Sequence, residues 1–361
     1  MKNIARKSIL AVKPYIPGKP IDEVRRELGL TKVIKLASNE NPYGPSPKVR
    51  KAIMEASKNI NRYPDGSCYY LRRELAKRLS ISPEQLIFGN GSDEIIVLAT
   101  RVFTSEGDEV VIARPSFLIY EIASKISGAA IKFVPLKDFH YDLAGMKKAV
   151  TRKTKIIFIG NPDNPAGTYV TKGDVLDFLK NLRKDIIVFF DEAYYEFVSA
   201  PDYPDTVGFL KRHKNIIVIR TFSKMFGLAG LRIGYGIGNP QVISLLERVR
   251  EPFNVNSLAQ AAALACLKDK GYYQKILGEI EDGRKELYQG FKKLGLPFVK
   301  SATNFILVNV QRNSLEVSQA LLKKGVIVRD MGFWGLDTFI RVTIGTKKEN
   351  REFMKALGEI I

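Results

Sequence analysis

Apolar positions along this chain follow two rhythms. Leu71, Leu75 and Leu79 recur at i, i+4 and i+8, the spacing of one helical face. Farther on, the runs 156–159, 186–190 and 216–219 are continuously apolar and do not alternate with polar residues. Strands buried on both faces have that pattern, which predicts a mainly parallel sheet covered by helices on each side. Around these runs the pattern predicts a short strand ending at Phe88, a helix over 94–103, a strand at 110–112 and a glycine-bearing strand at 233–237. Thr171 with Asp174 three residues on reads as a helix N-cap. From about residue 250 the rhythm changes to one long helical stretch over 257–294, then strands at 304–310 and 339–343 with helices between and after.

The predicted fold class is α/β. A three-layer α/β/α large domain with a mainly parallel sheet occupies 46–255, and a smaller α+β domain occupies 256–361. Residues 1–45, rich in Pro, Gly and Asn, read as an irregular arm with one short helix at 22–28, packing with the small domain.

Composition narrows the function classes. With 361 residues, 45% of them hydrophobic, the chain can bury a large core. No apolar run approaches the ~20 residues of a membrane span. The start of the chain has only a short apolar patch at 9–12, ended by Lys13 and Pro14, so no secretory signal is expected. Two cysteines, Cys68 and Cys266, do not make a disulfide framework and suit a reducing, cytoplasmic compartment. His140 and His213, the only histidines, lie far apart, which argues against a histidine metal site or a Ser/Cys–His nucleophile; no metal is expected. The net charge of +19 brings nucleic acid to mind, yet the lysines and arginines stand mostly as singles and pairs, with no nucleic-acid motif beside them. Solubility and attraction of small anionic substrates are readings of the charge with fewer requirements.

The polar residues that follow the predicted strands carry the chemistry. In open parallel sheets, ligands bind at the carboxyl ends of the strands. Those ends carry Gly89-Asn90-Gly91-Ser92-Asp93-Glu94, Asn161-Pro162-Asp163-Asn164-Pro165-Ala166-Gly167, Asp191-Glu192-Ala193-Tyr194 and Thr221-Phe222-Ser223-Lys224. Singly, each has a plain reading: a strand-to-helix turn, a turn before proline, a helix cap, a solvated lysine. Together they supply a phosphate cradle at a helix N-terminus, an amide, an acid, a phenol and an amine along one sheet edge.

That conjunction resembles the fold-type-I pyridoxal-phosphate-dependent aminotransferases, over 15–341. Asn164-Pro165-Ala166-Gly167 is similar to the family's Asn-Pro-Thr-Gly element, with Ala166 in place of threonine. Asp191 to Tyr194, Ser223-Lys224 and Gly230-Leu231-Arg232-Ile233-Gly234 match in order and spacing. Within the family, the segment 35–47 (Lys-Leu-Ala-Ser-Asn-Glu-Asn-Pro-Tyr-Gly-Pro-Ser-Pro), with Pro14 to Gly18, Arg62 to Asp65 and Gly325 to Asp330, is similar to the histidinol-phosphate aminotransferase subgroup. Threonine-phosphate decarboxylases and aromatic aminotransferases share much of this signature.

The resemblance implies pyridoxal 5′-phosphate as cofactor. Lys224 is then the Schiff-base lysine and the proton shuttle, Asp191 the partner of the pyridinium nitrogen, and Tyr194 and Asn164 the partners of the ring's phenolic oxygen. Phe117 is expected to stack on the ring. The N–H groups of Ser92 and Asp93, the Ser223 hydroxyl and Arg232 are expected to hold the phosphate, with Tyr63 reaching it from a second subunit of a homodimer. Arg341 is expected to grip the anionic group of the substrate, and Arg329 and Tyr15 are candidates for the substrate phosphate. The implied reaction is ping-pong transamination of L-histidinol phosphate with 2-oxoglutarate. A Ser223–Lys224 hydrolase dyad is the reading from a different class, and it leaves Asp191, Asn164 and Arg232 unexplained.

Overall fold

The computed structural model describes residues 4–10, 12, 14 and 18–361. In chain order its strands are β1 (Ile34–Lys35), β2 (Leu86–Gly89), β3 (Glu109–Arg114), β4 (Ala130–Pro135), β5 (Thr154–Gly160), β6 (Ile187–Asp191), β7 (Ile216–Thr221), β8 (Gly234–Gly238), β9 (Phe305–Asn309), β10 (Val326–Ile327), β11 (Arg329–Asp330) and β12 (Phe339–Thr343). Seven of them form one sheet in the order β2-β8-β7-β6-β5-β3-β4. The pairings β3–β4, β3–β5, β5–β6 and β6–β7 are parallel, and β8 runs against both of its neighbours.

The unbroken apolar runs have a direct structural cause. Ile156 and Phe158 of β5 join one core with Val110, Ile112, Phe189 and Ile217, while Ile157 and Ile159 join another with Val111, Val188, Phe190 and Val218. Successive residues of a strand point to opposite faces, so a sheet covered on both sides needs an apolar residue at every position. Helices Ser92–Phe103, Leu118–Ser127 and Pro240–Glu247 cover the first face through Ile95, Tyr120 and Ile243. Helices Tyr69–Leu79 and Lys172–Leu179 cover the second through Leu71, Leu75, Val175 and Phe178. Thr171 and Asp174 make a reciprocal capping box at the start of Lys172–Leu179.

The second core continues into a three-stranded antiparallel sheet, ordered β11-β12-β9. The early strand β1 pairs in parallel with β10, which ties the segment around residue 35 to the C-terminal part of the chain. The helical stretch expected over 257–294 is two helices, Ser257–Leu267 and Lys270–Lys293. The break falls at Lys268–Asp269, where the backbone of Asp269 leaves the helical region (φ −119°, ψ 53°) and its carboxylate takes the ammonium of Lys48 at 3.0 Å. The Ala-rich first helix packs on Pro47–Ser57, and the second, amphipathic one packs on β9 and the last helix, Lys347–Gly358. Among the described residues no helix is long and apolar enough to cross a membrane.

Candidate active site

The carboxyl ends of β6 and β7 lie side by side, Asp191 opposite Ile219, and the chain beyond them carries the reactive groups. Asp191 closes β6 and is almost wholly buried. Its Oδ1 accepts the Ala193 N–H at 3.0 Å and its Oδ2 accepts the Tyr120 hydroxyl at 2.8 Å. Burial pushes its pKa up to about 6, against the downward pull of those two donors. Lys224 follows β7 on a turn that is bonded to itself: Ser223 N–H donates to Thr221 Oγ1 at 3.1 Å and Leu228 N–H to the Phe222 carbonyl at 3.0 Å. Phe222 is fully buried, a contribution of roughly 2 kcal/mol that pins the turn to the core.

The Lys224 Nζ donates to the Ser38 carbonyl at 3.2 Å and lies 5.7 Å from the centre of the Tyr194 ring. Enclosure by the protein lowers its pKa from 10.5 to about 8; Arg341 and Arg232 push the same way, against Glu40 and Asp191. The amine is thus close to its neutral, nucleophilic form near pH 8.

The helix Ser92–Phe103 starts right after β2 and its turn, so its first N–H groups point out of the sheet edge with the positive end of the helix dipole. Gly91 sits at φ +85°, and a Cβ there would come within 2.2 Å of Asp93 Oδ1 and 2.3 Å of an Arg232 nitrogen. A Cβ on Gly234 would meet the Ser92 nitrogen at 2.4 Å. The two glycines therefore let Ser92, Asp93 and Arg232 draw close together, and all three line one cavity. Arg232, itself in left-handed backbone (φ +55°), bonds Asp93 at 2.7 Å and the Ser223 hydroxyl at 3.5 Å.

The opposite wall comes from distant stretches of chain. Arg341 on β12 and Arg329 on β11 are directly paired across the antiparallel ladder, which sets them on one face. Arg341 donates to the Asn164 side-chain oxygen and, at 3.1 Å, to the Ala37 carbonyl. Its guanidinium lies 5.2 Å from the Phe305 ring, and that of Arg329 lies 5.2 Å from Trp334. The Tyr194 hydroxyl accepts the Asn39 side-chain N–H at 2.9 Å, and burial raises its pKa to about 12.

These groups surround a cavity of about 340 Å³, into which Ser92, Asp93, Phe117, Asn164, Asp191, Tyr194, Ser223, Lys224 and Arg232 all open. A smaller cavity of about 110 Å³ is lined by Arg341, Arg329 and Trp334 and shares Asn164, Tyr194 and Lys224 with the first. Of the residues singled out from sequence, Tyr63 lines neither; it is 84% exposed and stacks on Phe253 at 4.8 Å. Tyr15 lies outside the described residues. Sequence reading missed Tyr120, Asn39 and Glu40. Asn39 and Glu40 stand inside the segment 35–47 that carries the subgroup signature, whereas Tyr120 gives no signal beyond its helical spacing of three from Phe117.

A buried acid and an amine of lowered pKa on adjacent strand ends, with an anion cradle beside them, define an enzyme site of the kind that fixes a phosphorylated cofactor near a reactive lysine. The family model for aminotransferase class I and II matches residues 31–357, and the chain belongs to that family. It is similar to the histidinol-phosphate aminotransferase of Moorella thermoacetica, 49% identical over 99% of this chain and 92% of that one. The enzyme of the same name from Caldicellulosiruptor saccharolyticus is 47% identical over 99% of both chains. Among solved structures, histidinol-phosphate aminotransferase from Sinorhizobium meliloti in complex with pyridoxal-5′-phosphate superimposes with a TM-score of 0.91 at 28% identity, covering 98% of this chain and 97% of that one.

Proposed function

We propose that this enzyme transaminates L-histidinol phosphate with 2-oxoglutarate, using pyridoxal 5′-phosphate bound in the 340 Å³ cavity. The observation that carries the reading is the meeting of Lys224, Asp191, Ser92, Asp93 and Arg232 in that one cavity. The donor set fits the cofactor. The cavity is lined by the first residues of helix Ser92–Phe103, with their free N–H groups, and by the Arg232 guanidinium, which suits a phosphate, and Asp191 is a buried carboxylate of the kind a pyridinium nitrogen needs. The backbone N–H groups of Ser92 and Asp93, the Ser223 hydroxyl and Arg232 would hold the phosphate, Phe117 the ring face, Asn164 and Tyr194 the phenolic oxygen, and Lys224 the aldehyde carbon. When bound, the cofactor supplies an electron sink for the charge left when the substrate loses its Cα proton.

The residues of the chain supply the rest. The free Lys224 Nζ would be the base, poised near pH 8, that takes the proton from the substrate Cα and returns it on the other side of the transfer. Asp191 would supply a negative charge to the ring nitrogen. The Arg341 fork binds an anionic oxygen pair, the phosphate of one substrate and the carboxylate of the other in turn, with Arg329 beside it on the next strand. The strongly exposed Tyr63–Phe253 stack fits a homodimer in which each subunit lends Tyr63 to the cavity of the other. The reducing, cytoplasmic setting read from the two cysteines fits this function.

The test is a half-reaction. Purified enzyme carrying pyridoxal phosphate, mixed with L-histidinol phosphate and no keto acid, should lose its visible absorption stoichiometrically, and adding 2-oxoglutarate should restore it while glutamate appears. No change with histidinol phosphate, alongside a full change with phenylalanine, would defeat the substrate assignment.

A further inference from the structure

Tyr120 is 1% exposed and sits on the inner face of helix Leu118–Ser127, which begins right after Phe117. Its ring is stacked on Phe158 at 4.9 Å, only 5° from parallel, and meets Phe117 edge-on at 5.6 Å. Two aromatic neighbours thus hold the ring, leaving the hydroxyl no freedom to swing away. A phenol donates one proton, and this one goes to Asp191 Oδ2 at 2.8 Å. Burial raises the pKa of Tyr120 well above the usual phenol range, so it stays a donor at every working pH. Phe117 caps the start of this helix at the cavity wall, and Tyr120, three residues on, lines the same cavity.

We propose that Tyr120 is a positioning residue for the cofactor: its hydroxyl fixes the orientation of the Asp191 carboxylate and keeps it charged for the ring nitrogen. The inference rests on the assignment of pyridoxal phosphate to this cavity. Without Tyr120, Asp191 keeps a single hydrogen bond, from Ala193, in a buried setting that favours its neutral form. A neutral acid has no charge to hold a proton on the ring nitrogen. Two donors from the protein leave the carboxylate able to accept a third hydrogen bond, and the proton of that third bond then resides on the ring.

The test compares two ligands on the apoenzymes of the wild type and of Tyr120→Phe, which keeps the ring and removes only the hydroxyl. Binding of pyridoxal phosphate, followed by absorption or quenching of tryptophan fluorescence, should weaken about ten- to hundredfold in the variant. Binding of the 1-deaza analogue, in which a C–H replaces the ring nitrogen, should change less than about twofold, because the contact that Tyr120 supports is absent from that ligand. Equal losses for both ligands would make Tyr120 a packing residue and overturn the proposal, as would no loss for either. A fluorinated tyrosine at 120, of the same shape and a stronger donor, should bind pyridoxal phosphate at least as tightly as the wild type, and weaker binding would overturn the proposal. Failure of the wild-type apoenzyme to bind pyridoxal phosphate at all would bring down the underlying cofactor assignment, which is a separate outcome.

Discussion

The floor and the roof of the cavity are built in opposite ways. On the floor, Asp191 and Lys224 stand at or just past the ends of adjacent strands, and much of what holds them is local: Ala193 N–H two residues from Asp191, Thr221 Oγ1 two residues from Ser223. On the roof, the contacts join remote stretches. Asn39 N–H donates to Thr343 Oγ1 and Arg341 to the Ala37 carbonyl, each across a separation of 304 residues. The floor is set once the seven-stranded sheet is formed. The roof also requires β1 to pair with β10 and the three-stranded sheet to dock. In the proposed reaction this divides the labour: the floor holds and activates the cofactor for any amino donor, and the roof selects which donor and acceptor enter.

The largest expected effect lies on the floor. Lys224→Ala should lower turnover by at least ~10³-fold for every amino donor, since it removes both the covalent anchor and the base, and base catalysis alone supplies about 10²–10⁴-fold. The variant should still bind pyridoxal phosphate, because Asp191 and the anion cradle remain. Steady-state rates and the absorption of the purified variant check both parts. Turnover within tenfold of wild type would sink the assignment of Lys224.

Next comes the roof. Arg341→Lys keeps the charge but loses the planar fork, so KM for histidinol phosphate and for 2-oxoglutarate should both rise about tenfold or more, with cofactor affinity within about twofold of wild type. Equilibrium titration of the apoenzyme beside steady-state kinetics separates the two. A variant that loses pyridoxal phosphate as steeply as it loses substrate would break the division between floor and roof.

The same division explains what the sequence made legible. Continuous apolar runs mark β5, β6 and β7, and the residues just past them, such as Asp191 and Lys224, are the floor; local pattern and local chemistry coincide there. The antiparallel β8 was visible as a strand but not in its direction, because direction depends on which neighbour it meets, not on its own residues. The break at Asp269 hides inside a helical pattern, since it is imposed by the packing of one helix on Pro47–Ser57 and of the next on β9. Arg329 and Arg341 were nominated through family resemblance, but their cross-strand pairing is a matter of register. Tyr120 was missed because a buried tyrosine on a helix reads as packing until the acid beneath its hydroxyl is seen.

The smallest expected effect asks whether floor and roof are electrically separate. Lys224 is lowered from 10.5 to about 8, first by burial and then by Arg341. Only the neutral amine attacks an aldehyde, so the rate of pyridoxal phosphate uptake by the apoenzyme should climb about tenfold per pH unit below pH 8 and level off above it. A lysine at its ordinary value would keep climbing past pH 10. Arg341→Gln removes a positive charge that favours the neutral amine. It should therefore move the plateau to higher pH and slow uptake a few-fold near pH 7. The shift should stay below about one unit, because burial, the larger cause, is untouched. Stopped-flow uptake across pH 6 to 10 on both proteins measures it. No shift at all would mean that the roof charge does not reach the floor amine. A shift that carries the plateau to 10.5 would mean that the roof, and not enclosure by the sheet edge, sets the reactivity of Lys224.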